Sequence, residues 1–169
     1  MTELQQALIA FFSSSPLREY SVSMLRSVSG LPPILQTIHL LGVAIIMGSA
    51  VMLSLRILGI ACRRQQLQEM AGRLFPWFLA ALPVMLLSGL PFFLARPQRY
   101  LTNPIFGYKF VFLFLALAAT FLLCYWCREK RMQDGVIIKL VAVLSVSAWI
   151  MTAMAGRWIA YVDYIFWPG

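Results

Sequence analysis

Between Arg26 and Arg56 the chain carries no Asp, Glu, Lys or Arg. That run is longer than the roughly 20 apolar residues a helix needs to cross a bilayer. Three more uncharged runs follow: Leu74–Ala95, Phe110–Cys127 and Leu140–Gly156, each flanked by Arg or Lys. Of the 169 residues, 61% are hydrophobic and 12% charged. A soluble domain has about 45–50% and about 25%. A single soluble core of this size cannot hide so much apolar surface, whereas lipid accepts it all round a helix. The sequence therefore predicts an all-α integral membrane four-helix bundle. The spans fall near 31–60, 74–95, 105–128 and 136–158, within a transmembrane domain of residues 31–169.

Residues 1–30 read as an interfacial amphipathic segment. Thr2–Phe12 has the pattern of a short helix, and Ser13, Ser14, Ser15 and Pro16 punctuate it. Pro16 suits the first turn of a second short helix capped by a serine, running to about Val28. Both pieces are too short or too polar to span. No basic residue precedes the first apolar run, so the segment lacks the positive start of a secretory signal and is expected to be retained. In the second span, Pro83 is central. It frees the carbonyl of Leu79 and predicts a kink there.

The net charge is +8. The basic residues flank the apolar runs and form no patch, which points to topology signals and a lipid bilayer partner, with no nucleic acid. One side of the predicted bundle holds eight: Arg56, Arg63, Arg64, Arg73, Arg128, Lys130, Arg131 and Lys139. The other holds six: Arg18, Arg26, Arg96, Arg99, Lys109 and Arg157. The positive-inside rule puts the first set in the cytoplasm, giving a multi-pass protein of the bacterial inner membrane with both termini periplasmic. The terminal segment from Arg157 to Gly169, rich in Trp and Tyr, has the composition of an interfacial belt.

Cys62, Cys124 and Cys127 all fall on the predicted cytoplasmic side, in keeping with a reducing compartment. Cys124 and Cys127 form a C-x-x-C. A redox or metal role competes with the simpler reading of small apolar residues in a span. With no second C-x-x-C and no nearby histidine, a four-ligand zinc site is incomplete.

The single histidine, His39, lies inside the first span, roughly 12 Å along the helix from Leu31. An ionisable group at that depth is a functional candidate by default. Its helical face reads Gln36, His39, Val43, Met47, Ala50, Ser54. Topology brings Asn103, Arg157 and Tyr161 to the same side and predicts a cavity lined by Gln36, His39, Asn103, Arg157 and Tyr161. Three readings stand open. His39 hydrogen-bonds across helices and fixes the bundle; it serves a cofactor, haem b or a quinone; or it passes protons or substrate. As a metal ligand it would bind haem iron through a neutral imidazole, and Arg157 would face a propionate. A second axial ligand would have to come from Met151 or Met154, or from another chain.

Several segments together carry a resemblance. They are Leu35-Gln36-Thr37-Ile38-His39-Leu40-Leu41-Gly42, Leu55-Arg56-Ile57-Leu58-Gly59, Arg73-Leu74-Phe75-Pro76-Trp77, Ser88-Gly89, Asn103 to Lys109, and Gly156 to Tyr161. The set resembles a bacterial family of small four-helix integral membrane proteins of unknown function, over nearly the whole chain. Ser54 departs from that family's pattern, which is often acidic there. The span-one pattern is also distantly similar to copper-resistance-D-type and cytochrome-b-type membrane proteins, which place histidines on more than one helix.

Three functions remain. The first is a membrane redox-associated subunit, haem b or quinone, centred on His39. The second is a non-catalytic partner or assembly subunit of a larger membrane complex, or a homodimer. The third is a small transporter. The six acidic residues all lie outside the spans, and there is no carboxylate pair, phosphate loop or nucleophile triad. The sequence therefore assigns no catalytic residue to the chain on its own.

Overall fold

The structure, a computed structural model, describes residues 3–129 and 135–166. Lys130 and Arg131 of the charge count, and Trp167 of the aromatic segment, lie outside them. The described residues form helices and no strand: α1 Glu3–Ser14, α2 Pro16–Ser27, α3 Leu31–Ile57, α4 Leu67–Ala95, α5 Pro97–Leu101, α6 Pro104–Arg128 and α7 Val136–Phe166.

Local chemistry sets several of these boundaries. Ser15 accepts from the Leu17 amide at 3.3 Å, and Asn103 accepts from the Ile105 amide at 3.0 Å. Each cap is followed by a proline whose missing N–H costs nothing in a first turn. At the end of α3, the Ile60 amide donates to the Leu55 carbonyl at 2.9 Å, and the Gly59 amide donates to the Arg56 carbonyl at 3.1 Å. Gly59 has φ +71, so this is a left-handed glycine stop. Arg56 then turns back and donates through Nε to the Gln65 carbonyl at 2.7 Å, tying the loop.

Two elements differ from the sequence expectation. The second long helix starts at Leu67, ahead of Arg73, because the exposed Arg73–Glu69 pair at 2.6 Å supports an extra turn outside the apolar run. It continues through Pro76, Pro83 and Pro91 without a break. The short helix α5 between the second and third spans was not foreseen.

Four helices, Leu31–Ile57, Leu67–Ala95, Pro104–Arg128 and the Val136–Ile159 part of α7, are long and apolar enough to cross a membrane. They pack as a ring. The pairs α3–α4 and α6–α7 are the most extensive, and α3–α7 and α4–α6 close it. Consecutive long helices run antiparallel, so α1, α2 and α5 gather at the end where α3 and α6 begin. There α2 packs on α4 and α1 on α5.

Small residues let the helices approach closely: Ala116, Ala119 and Thr120 on α6 and Ala142, Ser145 and Ala148 on α7 are all buried. Phe78 of α4 fills the centre, edge-to-face with Phe121 at 5.7 Å and Trp149 at 6.1 Å. A hydrogen-bonded cluster sits beside it. The Thr120 hydroxyl donates to the Ala116 carbonyl at 2.8 Å, so it accepts from Trp149 Nε1 at 2.9 Å and from the Ser145 hydroxyl at 3.0 Å. Every polar atom in this cluster is satisfied, as a low-dielectric interior requires. Only 22–33% of each apolar stretch is buried in the bundle. The rest faces outward, with Leu40, Leu86, Phe114 and Leu140 each more than half exposed. That outward apolar belt on all four long helices is the surface a lipid environment covers.

Candidate functional site around His39

His39 stands in the third turn of α3 and turns its ring onto α4. Two glycines make this approach. At Gly89 on α4, an added Cβ would lie 3.2 Å from His39 Cε1 and 3.4 Å from Nδ1. At Gly42, one turn after His39, it would lie 2.9 Å from Met85 Cγ. The ring of α3 thus fits against the bare backbone of α4, and the Met85 side chain fits against the bare backbone of α3. The imidazole Nδ1 is 3.1 Å from the Met85 carbonyl and 3.1 Å from Ser88 Oγ.

These neighbours fix the proton. A carbonyl only accepts, and the buried Ser88 hydroxyl sits 2.6 Å from the Val84 carbonyl, to which it donates. Nδ1–H therefore donates to α4, and when the ring is neutral Nε2 is the unprotonated nitrogen. Nε2 has no hydrogen-bond partner among the described residues. Of the three open readings for His39, the interhelical hydrogen bond is present in the structure, and it uses Nδ1 and leaves Nε2 out.

The nearest unusual charge is Lys109. The Asn103–Pro104 cap fixes the start of α6, which places Lys109 about 8 Å into the helix. Its side chain is half-buried and lies along α7: a Cβ on Gly156 would meet Lys109 Cε and Nζ at 3.7 Å. It has no carboxylate at ion-pair distance among the described residues, and it lies within electrostatic reach of His39. The His39 imidazole and the Lys109 side chain thus lie toward the same end of the bundle.

The other residues predicted from sequence are placed differently. Gln36 is exposed on α3. Arg157 and Tyr161 pair with each other on α7, the guanidinium 5.3 Å from the ring centroid and Nη2 donating to the phenol oxygen at 3.3 Å. An i,i+4 cation–π contact satisfies both without reaching α3. Asn103 is buried where it caps α6, and its Nδ2 has no partner among the described residues. The five residues therefore do not line one cavity. Met85, Ser88, Gly89 and Lys109 are the neighbours that sequence reasoning did not assign to His39. Ser88-Gly89 in an apolar run was the available signal, as was the depth of Lys109 behind an Asn-Pro cap.

Cys124 and Cys127 are buried free thiols on one face of α6, packed with Leu53, Ala71 and Ile138. Cys62 lies apart in the α3–α4 loop with φ +53, a left-handed position that glycine adopts with less strain. Among the described residues, no three His, Cys, Asp or Glu side chains come together as a metal site.

No curated protein and no solved structure matches the chain. The distant likeness to copper-resistance-D-type and cytochrome-b-type proteins is accordingly not shown. One family model does match, across residues 28–162, from the start of the first long helix to the far end of the fourth. On that match the chain belongs to the family of unknown function DUF6644.

Proposed function

We propose that the chain is a multi-pass inner-membrane subunit that binds a quinone-type redox carrier at His39. The observation that carries this reading is a His39 ring tethered through Nδ1, with Nε2 lacking a partner among the described residues and Lys109 within electrostatic reach. A quinol hydroxyl donates to Nε2, and the Lys109 ammonium donates to a ring oxygen of either redox form. Donor and acceptor sit at the end of an apolar bundle, where the isoprenoid tail of such a carrier stays in lipid. With His39 tethered through Nδ1, the acceptor is held in position before the ligand arrives.

Haem b is a second reading. An imidazole whose Nδ1–H donates to a backbone carbonyl is the usual arrangement behind an iron-ligating Nε2. Two measurements on detergent-purified protein separate the readings. Solvent extraction with mass spectrometry detects retained quinone, and the visible spectrum detects haem. We expect quinone in the wild type and a loss of tenfold or more in His39→Ala and Lys109→Met. A Soret band that vanishes in His39→Ala transfers the assignment to haem. Folded wild-type protein with neither group, and with no affinity for an added short-chain ubiquinone, removes both.

A further inference from the structure

Where α2 leans on α4, two adjoining cavities of about 490 and 370 Å³ open at the bundle end. Arg18, Arg96 and Arg99 line both, and Arg26 lines the larger. Among the described residues, no Asp or Glu lines either cavity. Arg18, Arg26 and Arg96 have no carboxylate at ion-pair distance among the described residues. Arg18 and Arg26 of α2 and Arg96 at the α4–α5 junction are exposed like charges, and an anion among them relieves their repulsion.

The walls are not those of a simple ion site. The larger cavity is floored by Val22 and Leu25 of α2 and Phe92 of α4, with Pro32 at the start of α3. It therefore lies where the apolar length of the first two long helices ends and the polar end of the bundle begins.

We propose that this double cleft binds an anionic phospholipid whose headgroup carries two phosphates, of the diphosphatidylglycerol class. Arginine forks match phosphate oxygens two at a time, which a hydrated ammonium does not. Arg18 and Arg96 line both cavities, so each cavity takes one phosphate while these two arginines bridge them. The apolar floor takes the glycerol and the first carbons of the acyl chains. A free inorganic phosphate shares the arginine chemistry but makes no use of that floor. Basic clefts between membrane helices recognise such headgroups on these grounds. The site is separate from His39 and does not depend on a redox role.

The test uses the full chain in mild detergent, with thermal unfolding followed as lipid is added. Diphosphatidylglycerol is expected to raise the unfolding temperature in a saturable way, phosphatidylglycerol to do so more weakly, and phosphatidylcholine and inorganic phosphate not at all. In the R18Q/R96Q double variant, affinity falls by about fivefold or more per arginine removed. R128Q, at the opposite end of the bundle, binds as the wild type does. Wild-type affinity in R18Q/R96Q overturns the proposal, as does an equal response to phosphatidylcholine. A full response to inorganic phosphate replaces the lipid with a free anion and overturns it too. If R18Q/R96Q does not fold, R18K/R96K carries the test, because lysine keeps the charge and loses the fork. Undiminished affinity there also overturns the proposal.

Discussion

Gly89 is the position where one added carbon reaches the candidate site, because the His39 ring occupies the space a Cβ would take. In Gly89→Val the ring is displaced from the Met85 carbonyl while α4 keeps its helix. We expect retained quinone to fall as far as in His39→Ala, with the far-ultraviolet circular dichroism unchanged. Wild-type retention in Gly89→Val would show that the tether does not position His39. Thr120 poses a different residue-scale question. Thr120→Val preserves shape but removes the acceptor of two buried hydrogen bonds, from Trp149 and Ser145. Interhelical hydrogen bonds in membranes average about 0.6 kcal/mol and reach about 1.7, so the loss should be roughly 1–2 kcal/mol. Ser145→Ala leaves the Trp149 bond in place and should cost less. Reversible unfolding in mixed micelles measures both, and equal losses would mean that the Trp149 bond contributes nothing.

At the scale of elements, α1 is held to the bundle through α2, α4 and α5. Phe12 meets Phe93 of α4 edge-to-face at 5.2 Å, and Gln5 Nε2 donates to the Leu101 carbonyl at 3.5 Å. An aromatic pair of this kind contributes about 0.5–1.5 kcal/mol beyond its buried area. Phe12→Ala should therefore release α1 more often and expose the Ser13–Ser15 tract. Limited proteolysis between α1 and α2 is expected to speed up by about threefold to tenfold, since cleavage follows the open population. An unchanged rate would show that something else docks α1. In α4 the kink expected at Pro83 is compatible with one continuous helix. Three prolines remove three amide donors, yet the helix runs unbroken from Leu67 to Ala95. Pro76 and Pro83 are exposed on its outward face, away from the contacts with Met85 and Ser88 that receive His39.

At the scale of the molecule, α1, α2, α5 and the far end of α7 all gather at one end of a ring of four antiparallel helices. If those helices cross the membrane, reporters fused at either terminus must agree, and a reporter placed in the loop 58–66 must give the opposite answer. By the charge count, alkaline phosphatase fused at the C-terminus is expected to be active and a fusion at 58–66 inactive. The reverse pattern would keep the four spans and invert the orientation. Agreement between the loop and the termini would contradict the bundle as a spanning unit.

The uncharged runs and the Ser-Pro cap were enough to specify an all-helical chain with four long apolar helices. Those features are local, acting through hydropathy over one helix length and through hydrogen bonds within a turn. The sequence also marked His39, because an imidazole among apolar residues stands out wherever the helix is placed. Its partners depend on how α3 is rotated and how closely α4 approaches. Those are set by Gly42 and Gly89, which lie far apart in sequence and act only when the helices pack. The same holds for Arg157, which turns to Tyr161 on its own helix, and for Lys109, which lies along Gly156 inside the bundle. Sequence alone determined the helices and the residue most out of place in them. Only the packing decided which ring nitrogen is held by the fold and which has no partner among the described residues, because that depends on distances between helices that no local pattern encodes.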